Sequence, residues 1–198
     1  LLISRDKQES GMSNLSGLAS LAGVDLTAQG ASINKVIDII QSRAFVKRLI
    51  TFEDVLPSIM APDSYDTSSK RLFFDPELYD ESSKTWLRDA PTNGAIIPTY
   101  IEAHKEYSEM LTVMKDRMTG HVTIKIEHIS PVFAHDFLSL VIQEANNVYR
   151  EIDFDSATRA LTYLNQELSS TSQLEIKKSI SNLMENQLET KMMANIHD

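Results

Sequence analysis

The chain contains no cysteine. That excludes disulfides, thiolate-bound zinc and cysteine nucleophiles together. It fits an oxidising compartment without a disulfide framework and fits the cytosol nearly as well. Glycine and proline are scarce, six of each in 198 residues, and neither occurs after Pro131. The 67 residues beyond Pro131 are enough for roughly 100 Å of helix at about 1.5 Å per residue. A compact enzyme rarely needs such a rod, whereas a spacer or an assembly surface does. Bases are also few, 19 Lys and Arg against 28 Asp and Glu for a net charge of −9. Only Lys47-Arg48, Lys70-Arg71 and Lys177-Lys178 are adjacent pairs. This distribution argues against nucleic acid or anionic lipid as the main partner, because phosphate recognition needs clustered bases. No apolar run is long enough to span a bilayer, and no signal peptide opens the chain. Gly-x-Ser-x-Gly elbows, P-loops and dinucleotide fingerprints are lacking.

What is present reads as a folded protein, with 42% apolar and 24% charged residues. The ends look cut. Leu1-Leu2-Ile3-Ser4 reads as the tail of a strand begun upstream, and Met192–Asp198 stops with helical character. The expectation is an excised soluble part of a longer protein, with any membrane anchor lying outside it. Residues 5–31 are small and polar, either a flexible loop or a loop holding a short helix on Leu15, Leu18, Leu21 and Ala22. Ser32 is placed to cap a helix from Ile33 to Ile50, whose stripe is Ile33, Val36, Ile37, Ile40 and Ala44. A short helix is expected over 52–60. Residues 62–97 read as loop-rich, with a short strand at Arg71–Phe74, and so as an insertion or functional loop. Pro98 suits a first helical turn. Tyr100, Ala103, Tyr107, Leu111, Met114 and Met118 then predict a helix reaching Gly120.

From Val122 to Ile126 the pattern alternates, predicting a strand with one wet face. Ser130 and Pro131 open the next helix as cap and first-turn residue. Its stripe is Phe137, Leu138, Val141, Ala145, Val148 and Ile152, then Ala157, Ala160, Leu161, Leu164 and Leu168, with a kink expected at Asp153–Ser156. Ser169-Ser-Thr-Ser172 breaks it, and Ser172 with Glu175 has capping-box spacing. A return helix follows on Ile176, Ile180, Leu183, Leu188, Met192 and Ile196. The fold class is therefore α+β and predominantly helical. Residues 1–130 form an α/β base with a mixed sheet and loop insertions, incomplete at its start. Residues 131–198 form a long projecting helical hairpin that turns near 169–172 and is incomplete at its end. Its stripes are narrow, so the hairpin is expected to pack on copies of itself through Arg150, Arg159, Leu161, Leu164, Leu168 and Leu183. Five bases stand against ten acids from Pro131 onward. These charges are expected to choose the register between copies, since mispaired like charges disfavour wrong partners.

Several segments carry a resemblance. Ser16-Gly-Leu-Ala-Ser-Leu-Ala-Gly23, Ser42-Arg-Ala-Phe45, Asp75-Pro-Glu-Leu-Tyr-Asp80 and Trp86 occur in that order. Thr119-Gly-His-Val-Thr-Ile-Lys-Ile-Glu-His-Ile-Ser-Pro131, Glu185-Asn-Gln187 and Met192-Met193 follow. In these the chain resembles the periplasmic part of a Wzz-type polysaccharide co-polymerase, a chain-length determinant. The strand–Ser-Pro–helix block is the most specific element. The resemblance implies a membrane-proximal base, a long hairpin and a ring or bell of several copies on a bacterial inner membrane. It further implies a non-enzymatic role in setting the length of O-antigen or a related polysaccharide made by a separate polymerase. The growing polysaccharide is a second implied partner, and neither a cofactor nor nucleic acid is expected. Holding polymerases together and gauging the polymer against hairpin height are both open as mechanisms. Rival readings are a kinase-paired export co-polymerase, a coiled-coil envelope adaptor and a carbohydrate hydrolase using paired carboxylates.

Catalytic and metal chemistry is thinly supported. His104, His121, His128, His135 and His197 show no helical i, i+4 pair with an acidic partner, and no metal site is expected. Glu127 beside His128 is the best acid–base candidate, yet neighbouring strand residues face opposite sides. Tyr65, Phe73, Phe74, Tyr79 and Trp86 either stack on sugar rings or anchor the loop region to the base.

Overall fold

The computed structural model describes residues 28–90, 95–116 and 118–195. The expected N-terminal strand, the helix near Leu15–Ala22 and His197 lie outside these. The chain divides into two compact units, one of residues Ile33–Asn147 and one that contains the chain from Val148 onward. One boundary falls within the helix Ala28–Gln41 and the other within the helix Pro131–Ser170.

α1 (Ala28–Gln41), which belongs to the first of these units from Ile33 onward, is followed at once by α2 (Arg43–Leu49). The expected single helix from 33 to 50 is thus two, and Ser32 lies within α1 rather than at its cap. The break has a local cause. Ser42 leaves helical geometry and its Oγ accepts the Phe45 N–H at 3.1 Å, capping α2. The apolar face is re-phased, so that Phe45, Val46 and Leu49 are buried while Ala44 is exposed. The short helix α3 (Val55–Met60) follows, buried on Val55 and Ile59.

The region read as loop contains two hairpins. β1 (Pro62–Asp66) pairs antiparallel with β2 (Arg71–Phe74), and β3 (Tyr79–Asp80) with β4 (Thr85–Trp86). One turn sequence builds both: Asp66-Thr-Ser-Ser-Lys70 and Asp80-Glu-Ser-Ser-Lys84. Asp66 accepts the N–H groups of Ser68 and Ser69, and Asp80 accepts the Ser82 N–H together with the hydroxyls of Ser82 and Ser83. The Ser83 and Ser82 hydroxyls in particular hold the Asp80 carboxyl down at about 2. Lys70 and Lys84 close the turns at φ of 55° and 52°, in the left-handed region.

Thr99 and Glu102 form a capping box for α4 (Tyr100–Met110). This helix stops at Met110 instead of reaching Gly120. β5 (Leu111–Lys115) pairs antiparallel with β6 (Val122–Ile126), from Leu111 opposite Ile126 to Lys115 opposite Val122. Gly120 at φ 73° and Asp116, whose carboxylate accepts the Met118 and Thr119 N–H groups, make the turn between them. On β6, Val122, Ile124 and Ile126 are half-buried and Thr123 and Lys125 exposed, as the alternation predicts. The described strands therefore form three two-stranded antiparallel ladders rather than one mixed sheet.

Ser130 opens α5 (Pro131–Ser170), its Oγ accepting the Phe133 N–H at 3.2 Å. Phe137, Val141 and Ala145 are buried here, and Phe137 meets Tyr107 edge-on with ring centroids 6.0 Å apart. The Tyr107 hydroxyl donates to the Ile40 carbonyl at 3.1 Å. Arg48 of α2 donates to the buried Glu144 carboxylate of α5 at 2.5 Å, and Asn147 donates to its other oxygen at 2.8 Å.

In the other unit, α5 continues without interruption through Asp153–Ser156, where a kink was expected. It ends at Ser170, and α6 (Leu174–Asn195) begins after three residues. The Ser172–Glu175 capping box is not formed; the Gln173 carbonyl accepts the first-turn N–H of Lys177 at 3.0 Å. Lys191 of α6 lies over the Phe154 ring of α5, 4.8 Å from its centroid. Ala157, Ala160 and Leu164 of α5 and Ile180 of α6 are buried. Thr158 Oγ1 is buried beside this seam with no hydrogen-bond partner among the described residues. Thr158→Val is nearly isosteric and removes that orphaned hydroxyl. It is expected to stabilise the chain by about 1 kcal/mol, read as a higher midpoint in urea unfolding.

Candidate assembly surface and aromatic recess

The six residues proposed from sequence as contacts between copies occupy three different environments. Leu164 is 2% exposed. Its side chain packs within its own unit. Leu161, Leu168 and Leu183 are half-buried and Arg159 is exposed. Arg150 is half-buried and lines an open groove of about 530 Å3 with Tyr149, Asp153, Asn186, Glu189 and Met193.

α6 buries only Ile180 among its described residues. Leu174, Leu188, Met192 and Met193 are 48–82% exposed, and Ile152 and Tyr163 of α5 are also open. A helix pair with one or two inward residues per two turns leaves apolar side chains outside, and such surface marks interaction sites in soluble proteins. A second exposed apolar group lies in the α/β unit at Leu87, Ile96, Ile97 and Ile101. Arg88 organises this loop. Its guanidinium donates to the Ile96 and Ala95 carbonyls at 2.6 and 2.9 Å and pairs with Glu102 at 2.7 Å. Arg88, and after it the Thr99 N–H, holds the Glu102 carboxyl at about 2.

The aromatic set divides. Tyr79 is buried, with Phe74 edge-on at 5.4 Å and Trp86 tilted at 5.0 Å. These three anchor the hairpin region. Phe73 is 39% exposed with the Arg71 guanidinium 5.3 Å over its ring, and Tyr65 is half-buried. Phe74 and Tyr79 also wall a recess of about 350 Å3, together with Ser58, Lys70, Lys84 and Phe133. Lys84 is paired there with Glu53. Sequence reading missed this recess. The signal was available in the twice-used Asp-x-Ser-Ser-Lys turn, which brings Lys70 and Lys84 to one place.

The histidines are spread over separate environments. His135 Nδ1 lies 2.9 Å from Asp136 on an exposed face, and His104 Nε2 lies 3.0 Å from the Gln41 carbonyl. His121 is exposed. Glu127 is exposed and paired with Lys125, while His128 turns inward to the Ser58 carbonyl. The two therefore do not form an acid–base pair. Among the described residues no group of three or more His, Asp or Glu is placed to hold a metal ion, and no helix is long and apolar enough to cross a membrane.

Comparison with protein-family models, curated proteins and solved structures gives no match.

Proposed function

We propose that the chain is the periplasmic part of a Wzz-type polysaccharide co-polymerase, a non-enzymatic regulator of O-antigen or related polysaccharide length. The observation that carries this reading is the block Thr119–Pro131: an alternating strand, a short link and a Ser-Pro start to a helix of 40 residues. The three-residue link to α6, the Lys191–Phe154 contact between the two helices and the apolar side chains left open on both support it. In this reading α5 and α6 project from a membrane-proximal base, and copies of the chain assemble side by side as a ring or bell on the inner membrane. The assembly works with a separate polymerase. It acts by holding polymerases close together, which raises their effective concentration, or by gauging the growing polysaccharide along its height.

Two measurements test the reading. Deleting the gene should broaden the distribution of surface glycan lengths on a gel, with total polymer still made; an unchanged distribution would remove the role. Reversing the exposed Arg159 to Glu in the membrane-anchored full-length protein should change oligomer mass by light scattering. Unaltered mass would remove the charge-register idea while leaving the role intact.

A further inference from the structure

His128 lies in the link between β6 and α5, and its ring joins two helix ends. The Ser130 N–H donates to Nδ1 at 3.1 Å. A backbone N–H can only donate, so Nδ1 carries no proton. The proton therefore sits on Nε2, which lies 2.9 Å from the Ser58 carbonyl and donates to it. Ser58 is near the end of α3, where helical carbonyls lack partners of their own. Ser130 caps α5, and Phe133 in the first turn packs against the imidazole with centroids 4.6 Å apart. Ser58 and Ser130 are 3% and 2% exposed, so water does not substitute easily for either bond.

Only the neutral ring satisfies this arrangement. A second proton would sit on Nδ1 and face the Ser130 N–H, donor against donor. It would also place a positive charge beside the N-terminus of a long helix, the positive pole of its dipole. Burial pushes the imidazole in the same direction, below its ordinary value. The charged groups around it offer little compensation. α3 has no ionisable side chain, and its N-cap is Asp54. Glu127 is bonded to Lys125 and His135 to Asp136. The recess walled by Ser58, Ser130 and Phe133 also carries Lys70, Tyr79, Glu81 and Lys84. No carboxylate among the described residues forms an ion pair with the ring.

We infer that His128 is an acid-sensitive clasp: neutral, it fastens the start of α5 to the end of α3, and protonation releases it. The sign follows from linkage. The unfolded chain binds the proton more readily, so the contribution is complete above the unfolded value near 6.5 and is lost as pH falls towards the folded one.

The test uses the whole chain and His128→Asn, whose side-chain oxygen can still accept the Ser130 N–H but does not titrate. Between pH 7.5 and 5, the wild-type unfolding equilibrium constant should rise relative to that of the variant by up to about tenfold per pH unit. The Ser130 and Phe133 amides should lose exchange protection in the wild type over the same range. Parallel pH profiles for the two chains would overturn the clasp. If the variant does not fold, NMR titration of the wild-type ring decides: a midpoint below 6.5 supports the clasp, and one at or above it overturns it.

Discussion

Tyr107→Ala is expected to lower stability by about 3–5 kcal/mol, the range for removing a large aromatic from a close-packed core. The ring is 1% exposed and sits edge-on to Phe137, so its loss opens a cavity between α4 and α5. The substitution also strands the Ile40 carbonyl at the end of α1, which loses its hydroxyl donor. Tyr107→Phe separates the two effects. It keeps the packing and removes one hydrogen bond, so about 1 kcal/mol is expected. Both values come from the urea midpoint at pH 7, where a tyrosine phenol is protonated; burial pushes its ionisation further upward. Equal effects of the two substitutions would mean that the ring contributes little packing.

Glu144→Ala is expected to cost about 2–3 kcal/mol. Removing one partner of a buried pair typically costs about 3–5 kcal/mol. The lower range applies because the Arg48 side chain is 35% exposed while that of Glu144 is 7% exposed. The surviving guanidinium can recover part of its hydration. Asn147 loses its acceptor at the same time, so the three residues act as one network. In a double-mutant cycle of Arg48→Met and Glu144→Met, the coupling should exceed about 1 kcal/mol. It should also resist added salt better than an exposed pair such as Arg71–Glu81. A coupling near zero would mean that Arg48 does not offset the burial of Glu144.

Elements marked by two independent local signals were legible in the sequence. Ser130-Pro131 gives both a cap and a first-turn residue, and α5 begins there. The Ser169–Ser172 cluster ends one helical stripe before another starts, and the break falls at 171–173. Misreadings occurred where one pattern serves two structures. Leu111, Met114 and Met118 fit a helical repeat, yet Leu111 and Val113 fit a strand equally well. The choice is made by β6, which needs a partner, and by the turn at Asp116–Gly120. Ser42 was hidden in the same way, because one serine inside an apolar stripe looks tolerable until its hydroxyl takes the next N–H. The β1–β2 and β3–β4 hairpins lack glycine in their turns, which leaves the repeated Asp-x-Ser-Ser-Lys as their signal in the sequence. Of the proposed contact residues, periodicity placed Leu164 on an apolar stripe. It could not say whether that stripe faced its own partner helix or a neighbouring molecule.

The division of the chain inside α5 has a mechanical consequence. Most two-part proteins carry a hinge or flexible tether where the parts meet, and there a protease or a designer can separate them. Between Asn147 and Val148 the backbone is a continuous helix, with Ala145 buried just before the division and Ala157 beyond it. A cut there would leave four carbonyls and four amides without partners on the new ends. Each half would inherit a frayed stump, so this boundary is a poor place to separate the chain.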